Sequence, residues 1–482
     1  MISIEKIPNV KKEVSTLLIF KNGDTITSPL LNNEQEGYIA TQMKQNERRF
    51  FAFNMLSHWI AVAIVSDKKT KYETIEEFRK LGGEMLDFCD KEYVADLQTV
   101  FAAHINKEEI IGFVEGVMIN SYTFDNYRTD PKRLIHPFDR LYVFNDEITA
   151  SDIEKLVIVF QSMEKCRDLV NEPVCSLNAE GLAAAFVDLS REAGIEVEVW
   201  QRDEIEKKKM GGLLAVNKGS VDTPTFTIMQ YKPETAKNLQ PLVLVGKGLV
   251  YDTGGLNIKT GDYMNDMKED MAGAAMMATA MYAIARLNLP LYVVGLFPAT
   301  DNRPSGNAYA TGDIINMYDG TNVEVMNTDA EGRIILADAL AYAKQFSPML
   351  TLNAATLTGS AARTLGSFGI AAVEKDAAEY LTMLMKSGNE VRERVAEFPF
   401  WDDYDELIKS EIADIKNTTE TAGMITAGKF LAYFTNYPFI HLDIAGVAMS
   451  HKKTPYRGLG ATGTGVRLIT RFAENLCKFL EN

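Results

Sequence analysis

The chain has 482 residues, 46% hydrophobic and 24% charged, a length and composition that predict a soluble globular protein of two or more domains. Its formal net charge of −16 argues against nucleic acid or an anionic membrane as a general partner. Cys89, Cys166, Cys175 and Cys477 form no C-x-x-C pair and are too sparse for a disulfide framework, and the opening M-I-S-I-E-K-I-P has no signal-peptide core, so a reduced, cytoplasmic enzyme is expected.

In chain order, L-L-I-F (17–20) meets the turn K-N-G-D, and W-I-A-V-A-I-V (59–65) reads as a buried strand. T-I-E-E-F-R-K-L-G-G-E-M-L and K-E-E-I-I-G-F-V-E-G-V-M carry helical periodicity, and L-Y-V-F (141–144) is a further strand. The pattern predicts a small α/β domain over 1–147 without a visible catalytic constellation. A long helix from about 149 to 170, capped by Thr149 or Ser151, is the predicted connector over 148–170.

Residues 171–482 then alternate helix and strand on a larger scale. A helix in E-G-L-A-A-A-F-V-D-L-S-R-E-A leads to strands I-E-V-E-V-W, F-T-I-M-Q-Y and L-V-L-V. Helix 270–287, strand 291–297, a helix from about 334, strand 349–354 and a helix near 375–390 follow. Uninterrupted apolar strands between helices predict a mostly parallel central sheet covered by helices on both faces. No window supplies the roughly 18 apolar residues of a membrane span.

Familiar catalytic signatures are absent. There is no G-x-S-x-G elbow, and V-G-K-G is not a P-loop: Pro241 stands where Gly is required and Gly248 where Ser or Thr is needed. Five histidines (His58, His104, His136, His441, His451) and no H-E-x-x-H argue against a histidine-rich zinc site.

Two polar clusters interrupt apolar runs instead. In N-T-D-A-E-G-R (327–333), Asp329, Glu331 and Arg333 alternate, so an extended backbone would aim all three at one point. Alone, the stretch reads as a polar turn with an acidic helix start. In V-G-K-G-L-V-Y-D-T-G-G-L-N-I-K, Lys247 and Asp252 stand at the end of a buried strand, where α/β proteins place ligands. Taken singly, Asp270 reads as a helix cap, and Lys247 and Lys259 as surface lysines with buried stems. Together, Asp252, Asp270, Asp329 and Glu331 would repel unless protonated or neutralised by cations. Two divalent ions, about 3.5–4 Å apart and sharing a carboxylate, are the economical solution, in an oxygen-rich site.

These segments resemble the leucyl (cytosol) aminopeptidases, the di-metal M17 peptidases. N-T-D-A-E-G-R is that family's most specific motif; M-K-E-D-M-A-G-A-A, A-A-T-L-T-G-S-A-A-R-T-L-G, I-K-S-E-I-A-D-I-K-N, H-L-D-I-A-G and A-T-G-T-G-V-R-L also match. The likeness runs from about residue 165 to the C-terminus; the first 145 or so residues match only in size and α/β pattern. It implies a smaller N-terminal α/β (macro-like) domain joined by a helix to a catalytic domain over 171–482.

The resemblance also implies roles. Lys247, Asp252, Asp270 and Glu331 would hold the tighter metal; Asp252, Asp329 and Glu331 the more exchangeable one. The ions would be Zn²⁺ and/or Mn²⁺, two per subunit, with a bridging water as the attacking group. Lys259 would polarise the scissile carbonyl, and Arg333 would hold a bicarbonate acting as general base. Thr356, Leu357 and Gly359 would contact substrate backbone, and Met267 would help form an apolar pocket favouring Leu or Met. Substrates would be peptides with a free N-terminus, and the assembly a homohexamer.

Three departures from the usual pattern are Thr253 for Ser, the altered G-M-I-T-A-G-K-F-L (423–431), and Met449 where an aromatic is common. A di-metal phosphoesterase would bring more His ligands and an Arg or Lys cluster for phosphate. A nucleic-acid-binding module would conflict with the acidic charge.

Overall fold

The computed structural model describes residues 2–130 and 137–481; His136 lies outside them. Two compact units emerge, Met1–Phe160 with Lys452–Leu459, and Gln161–His451 with Gly460–Asn482. The division falls inside the helix Ala150–Asn171, whose first turn is capped by Thr149 Oγ1 accepting from the Asp152 N–H at 3.1 Å. Segment 452–459 returns to the first unit, where the Tyr456 hydroxyl donates to Glu76 at 2.7 Å.

The first unit holds a six-stranded sheet in which only the edge strand Phe50–Asn54 runs antiparallel to its neighbour. Trp59–Val65 forms over the span its apolar run indicates. The helices Lys71–Lys91 and Lys107–Ser121 both begin with a capping box, at Thr70 and Asn106. Ser3–Lys6, Phe50–Asn54 and the helix Asn33–Asn46 were not legible; that helix buries only Ile39 and so carries no apolar stripe.

In the second unit a nine-stranded sheet is built around four mutually parallel strands, Phe439–Asp443, Leu350–Ala355, Leu242–Gly246 and Val293–Asn302. Antiparallel pairs are confined to the flanks. Val243, Val245, Val294 and Leu296 pack on one face with helix Glu331–Ala343. Helix Ala272–Arg286 lies against the other, where Phe186 meets Phe297 with ring centroids 5.1 Å apart. The central strands are therefore buried on both sides, as their unbroken apolar runs require. Their carboxyl ends converge on Lys247, Asp252, Asn302, Thr356 and Asp443.

Candidate active site

The N-T-D-A-E-G-R segment is not extended: the helix begins at Glu331, after Ala330 at φ −115° and ψ 39°. Asp329 and Glu331 still converge, because the turn before the helix brings Asp329 alongside its first residue. Carboxylate oxygens of Asp252, Asp329 and Glu331 lie within 4.8 Å of one another. Arg333, one half-turn into the helix, is buried and donates through Nη1 to the Asn417 carbonyl at 2.8 Å. Its Nε is buried with no acceptor.

Lys247 is 3% exposed, the opposite of a surface lysine. Its Nζ lies 2.7 Å from Asp270 Oδ2 and 3.0 Å from Glu331 Oε1. Gly332 makes this possible: a Cβ there would stand 2.6 Å from Lys247 Nζ and 2.4 Å from its Cε. Lys259 Nζ lies 2.7 Å from Asp252 Oδ2 and 2.6 Å from Asp329 Oδ1. Gly254, at φ +85°, turns the chain between the two lysines, and a side chain there would press on Asp329.

Asp270 caps no helix; it lies within the short 3₁₀ helix Met267–Met271 and accepts the Thr356 hydroxyl at 2.8 Å. Thr356 is buried, and Met267 and Leu357 are half-buried. Gly359 is exposed and opens the helix Gly359–Leu365.

The electrostatics agree across the cluster. Burial, with repulsion from Asp252 and Glu331, outweighs the neighbouring lysines and pushes the Asp270 and Asp329 carboxyls up to about 7. Burial opposes charge on Lys247 and Lys259, yet the surrounding carboxylates raise both above the ordinary lysine value. Asp270, Asp329, Lys247 and Lys259 thus all hold their protons more tightly, the two acids through burial and neighbouring carboxylates, the two lysines through those carboxylates against burial. Burial lowers the Arg333 guanidinium to about 10, which leaves it charged at neutral pH.

Residues 164–470 match the sequence profile described as "Cytosol aminopeptidase family, catalytic domain". The chain belongs to the cytosol aminopeptidase family. A probable cytosol aminopeptidase of Geobacter sulfurreducens is 38% identical over 409 residues, 83% of this chain and 82% of that one. Another, of Chlorobium limicola, is 42% identical over 377 residues, 75% and 74% of the two chains. Among solved structures, "Bottromycin maturation enzyme BotP in complex with Mn" matches with a TM-score of 0.84 at 25% identity, over 96% of this chain and 100% of that one. This chain is accordingly a metal-dependent aminopeptidase, a hydrolase of a di-metal family.

The aminopeptidase pocket fits such ions. Four carboxylates face two amines, and Glu331 Oε2 is a buried acceptor with no donor. Asp329 keeps 33% of its side chain exposed, which leaves that edge of the cluster open.

Sequence reasoning missed the residues that hold this cluster in place. Asn302 Nδ2 donates to Asp252 Oδ1 at 2.9 Å and to the Thr328 carbonyl at 3.0 Å, tying together the two loops that carry the acids. Thr328 is fixed further by Tyr309, whose hydroxyl donates to the same carbonyl at 2.7 Å, and by Asn257 Oδ1, which accepts from the Thr328 N–H at 2.9 Å. Asp443 ends a buried strand just as Asp252 does, a signal that was available in F-I-H-L-D.

Among the described residues no helix is long and apolar enough to cross a membrane.

Proposed function

We propose that the enzyme removes N-terminal residues, preferentially Leu- or Met-like, from peptides, with Lys247, Asp252, Asp270, Asp329 and Glu331 holding two divalent ions. The observation that carries this reading is the surplus of buried carboxylate around Glu331, whose Oε2 has no donor. When bound, the ions supply Lewis acidity that activates water and polarises the scissile carbonyl, and a bicarbonate supplies the proton acceptor.

Lys247, given room by Gly332, and Glu331, both buried, would hold the inner ion, and Asp329, at the open edge, would serve the exchangeable one. Lys259, 14% exposed and on a loop beside Asp329, reaches toward substrate and donates to the oxygen that gains charge. Arg333 presents its free Nε to the bicarbonate. Thr356, Leu357 and Gly359 contact the substrate backbone, and half-buried Met267 supplies apolar surface to the first side chain. Such a pocket separates neighbouring apolar side chains by only about 1–3 kcal/mol per methylene, so tolerance is expected.

The structure of BotP in complex with Mn supports Mn²⁺, alongside Zn²⁺, as the ion to try first. A homohexamer in the cytoplasm is the assembly and location proposed, the latter in keeping with the relatives' names. The test is hydrolysis of leucine p-nitroanilide by chelated protein before and after Mn²⁺ or Zn²⁺ is added. Turnover restored by metal supports the reading, and none with either ion would overturn it.

A further inference from the structure

Asp443 is a further acid near the cluster, buried to 1% exposure, and the metal-ion reading does not use it. It lies outside the carboxylate trio that converges within 4.8 Å. Its hydrogen bonds show what it holds. Asp443 Oδ1 accepts from the backbone N–H groups of Leu357, Thr358 and Ala445 at 3.2, 3.4 and 3.2 Å. Oδ2 accepts the Thr358 hydroxyl at 2.6 Å. Thr358 Oγ1 in turn accepts from the Ala361 N–H at 3.1 Å and the Ser360 hydroxyl at 3.0 Å, capping the helix Gly359–Leu365.

The same loop is gripped from its other end. The Thr356 carbonyl accepts from Lys247 Nζ at 3.3 Å, and the Thr356 hydroxyl donates to Asp270 at 2.8 Å. Register explains the arrangement: Ala355 and Asp443 are partners at the carboxyl ends of adjacent parallel strands, so the loop leaves its strand beside the carboxylate. Residues 356–359 are thus stretched between two anchors, the Lys247–Asp270 pair and Asp443.

We propose that Asp443, acting through Thr358, is a positioning residue that sets the loop 356–359 for binding substrate backbone. This rests on the reading that the loop contacts substrate. A fixed loop presents its polar groups without paying to order them on binding, so loosening it weakens substrate binding and leaves the ion site in place.

The test compares Asp443→Asn, Thr358→Val and Thr358→Ser with wild type in the full, Mn²⁺-loaded enzyme. Asparagine keeps the acceptor for the amides but cannot take the Thr358 proton; valine keeps the volume of threonine without its hydroxyl. The expected result is a KM for leucine p-nitroanilide raised about 10-fold or more in Asp443→Asn and several-fold in Thr358→Val, with kcat changed less. Thr358→Ser restores the wild-type KM. Metal content stays at the wild-type value, and amide hydrogen exchange across 356–361 quickens in the first two variants.

A Thr358→Val enzyme with wild-type KM and exchange would overturn the positioning role while leaving the proposed function intact. Loss of an ion from Asp443→Asn would overturn it too, by making Asp443 part of the ion site. If Asp443→Asn does not fold, the valine and serine pair decides. A wild type that cleaves nothing with metal added would overturn the function and this role together.

Discussion

At the start of the helix Val466–Phe479, Arg467 Nε meets Glu393 Oε1 at 3.1 Å, both side chains 2% exposed; at the strand ends, Lys247 meets Asp270 and Glu331 at equal depth. The first joins a guanidinium to a carboxylate. Glu393 Oε2 also accepts from the Gly465 and Leu468 N–H groups at 2.8 and 3.0 Å, and Arg467 Nη2 donates to the Val391 carbonyl at 2.7 Å. The second cluster sets four carboxylates against two amines, with Glu331 Oε2 unmatched. Buried charge therefore does not by itself mark a site in this molecule. What sets the second cluster apart is several carboxylates crowded against one another, with an acceptor left without a donor.

Removing one acid from each cluster should separate the two roles most sharply. Glu331→Ala should abolish turnover and lower metal content, while leaving the chelated protein at least as stable as wild type because repulsion is relieved. Glu393→Ala strands a buried guanidinium and should cost about 3–5 kcal/mol in urea unfolding, with both ions retained in the folded protein. Matching effects from the two substitutions would dissolve the distinction.

Lys259→Ala comes next, with kcat reduced by about 10²–10³-fold and metal content near wild type. Loss of an ion would mean that Lys259 serves the cluster rather than the substrate. Asn302→Ala removes one donor from both Asp252 and the Thr328 carbonyl, and calorimetric titration should show metal affinity reduced by about 10–100-fold.

The smallest effect is in pH dependence. A carboxyl whose folded pKa is raised withdraws stability as pH rises from its unfolded value toward its folded one. Chelated wild type should therefore lose stability relative to chelated Asp329→Asn as pH rises from the ordinary 3.8 to about 7. Metal affinity should move the other way and climb over the same range, as ions displace those protons. A stability difference that is flat between pH 4 and 7 would contradict the surplus-charge account.

What the sequence disclosed depended on how local each cause was. Trp59–Val65 is a continuous apolar run bounded by polar residues, so its strand and burial were legible. The acids were legible as a group because their repulsion requires an answer wherever the chain places them. The start of helix Glu331–Ala343 was not. Glycine at 332 looks like a helix breaker, and its reason for being there is room for Lys247, 85 positions earlier in the chain. Asn302 and Asp443 act on loops 50 and 85 residues away, through hydrogen bonds that no local pattern announces. Taken singly, Asp270 read as a cap because it precedes a small-residue helix, and only with the other acids as a ligand; a 3₁₀ turn starts that helix at Ala272 and leaves the carboxylate to the cluster.

The central claim, that the unbalanced cluster exists to bind two cations for peptide hydrolysis, is tested most directly by titrating Mn²⁺ into chelated enzyme while following leucine p-nitroanilide cleavage. The account predicts that activity rises from background and saturates with two ions bound per chain, and that Glu331→Ala neither reaches that stoichiometry nor turns over. Saturation at one ion or fewer, or full activity in the chelated protein, would contradict it.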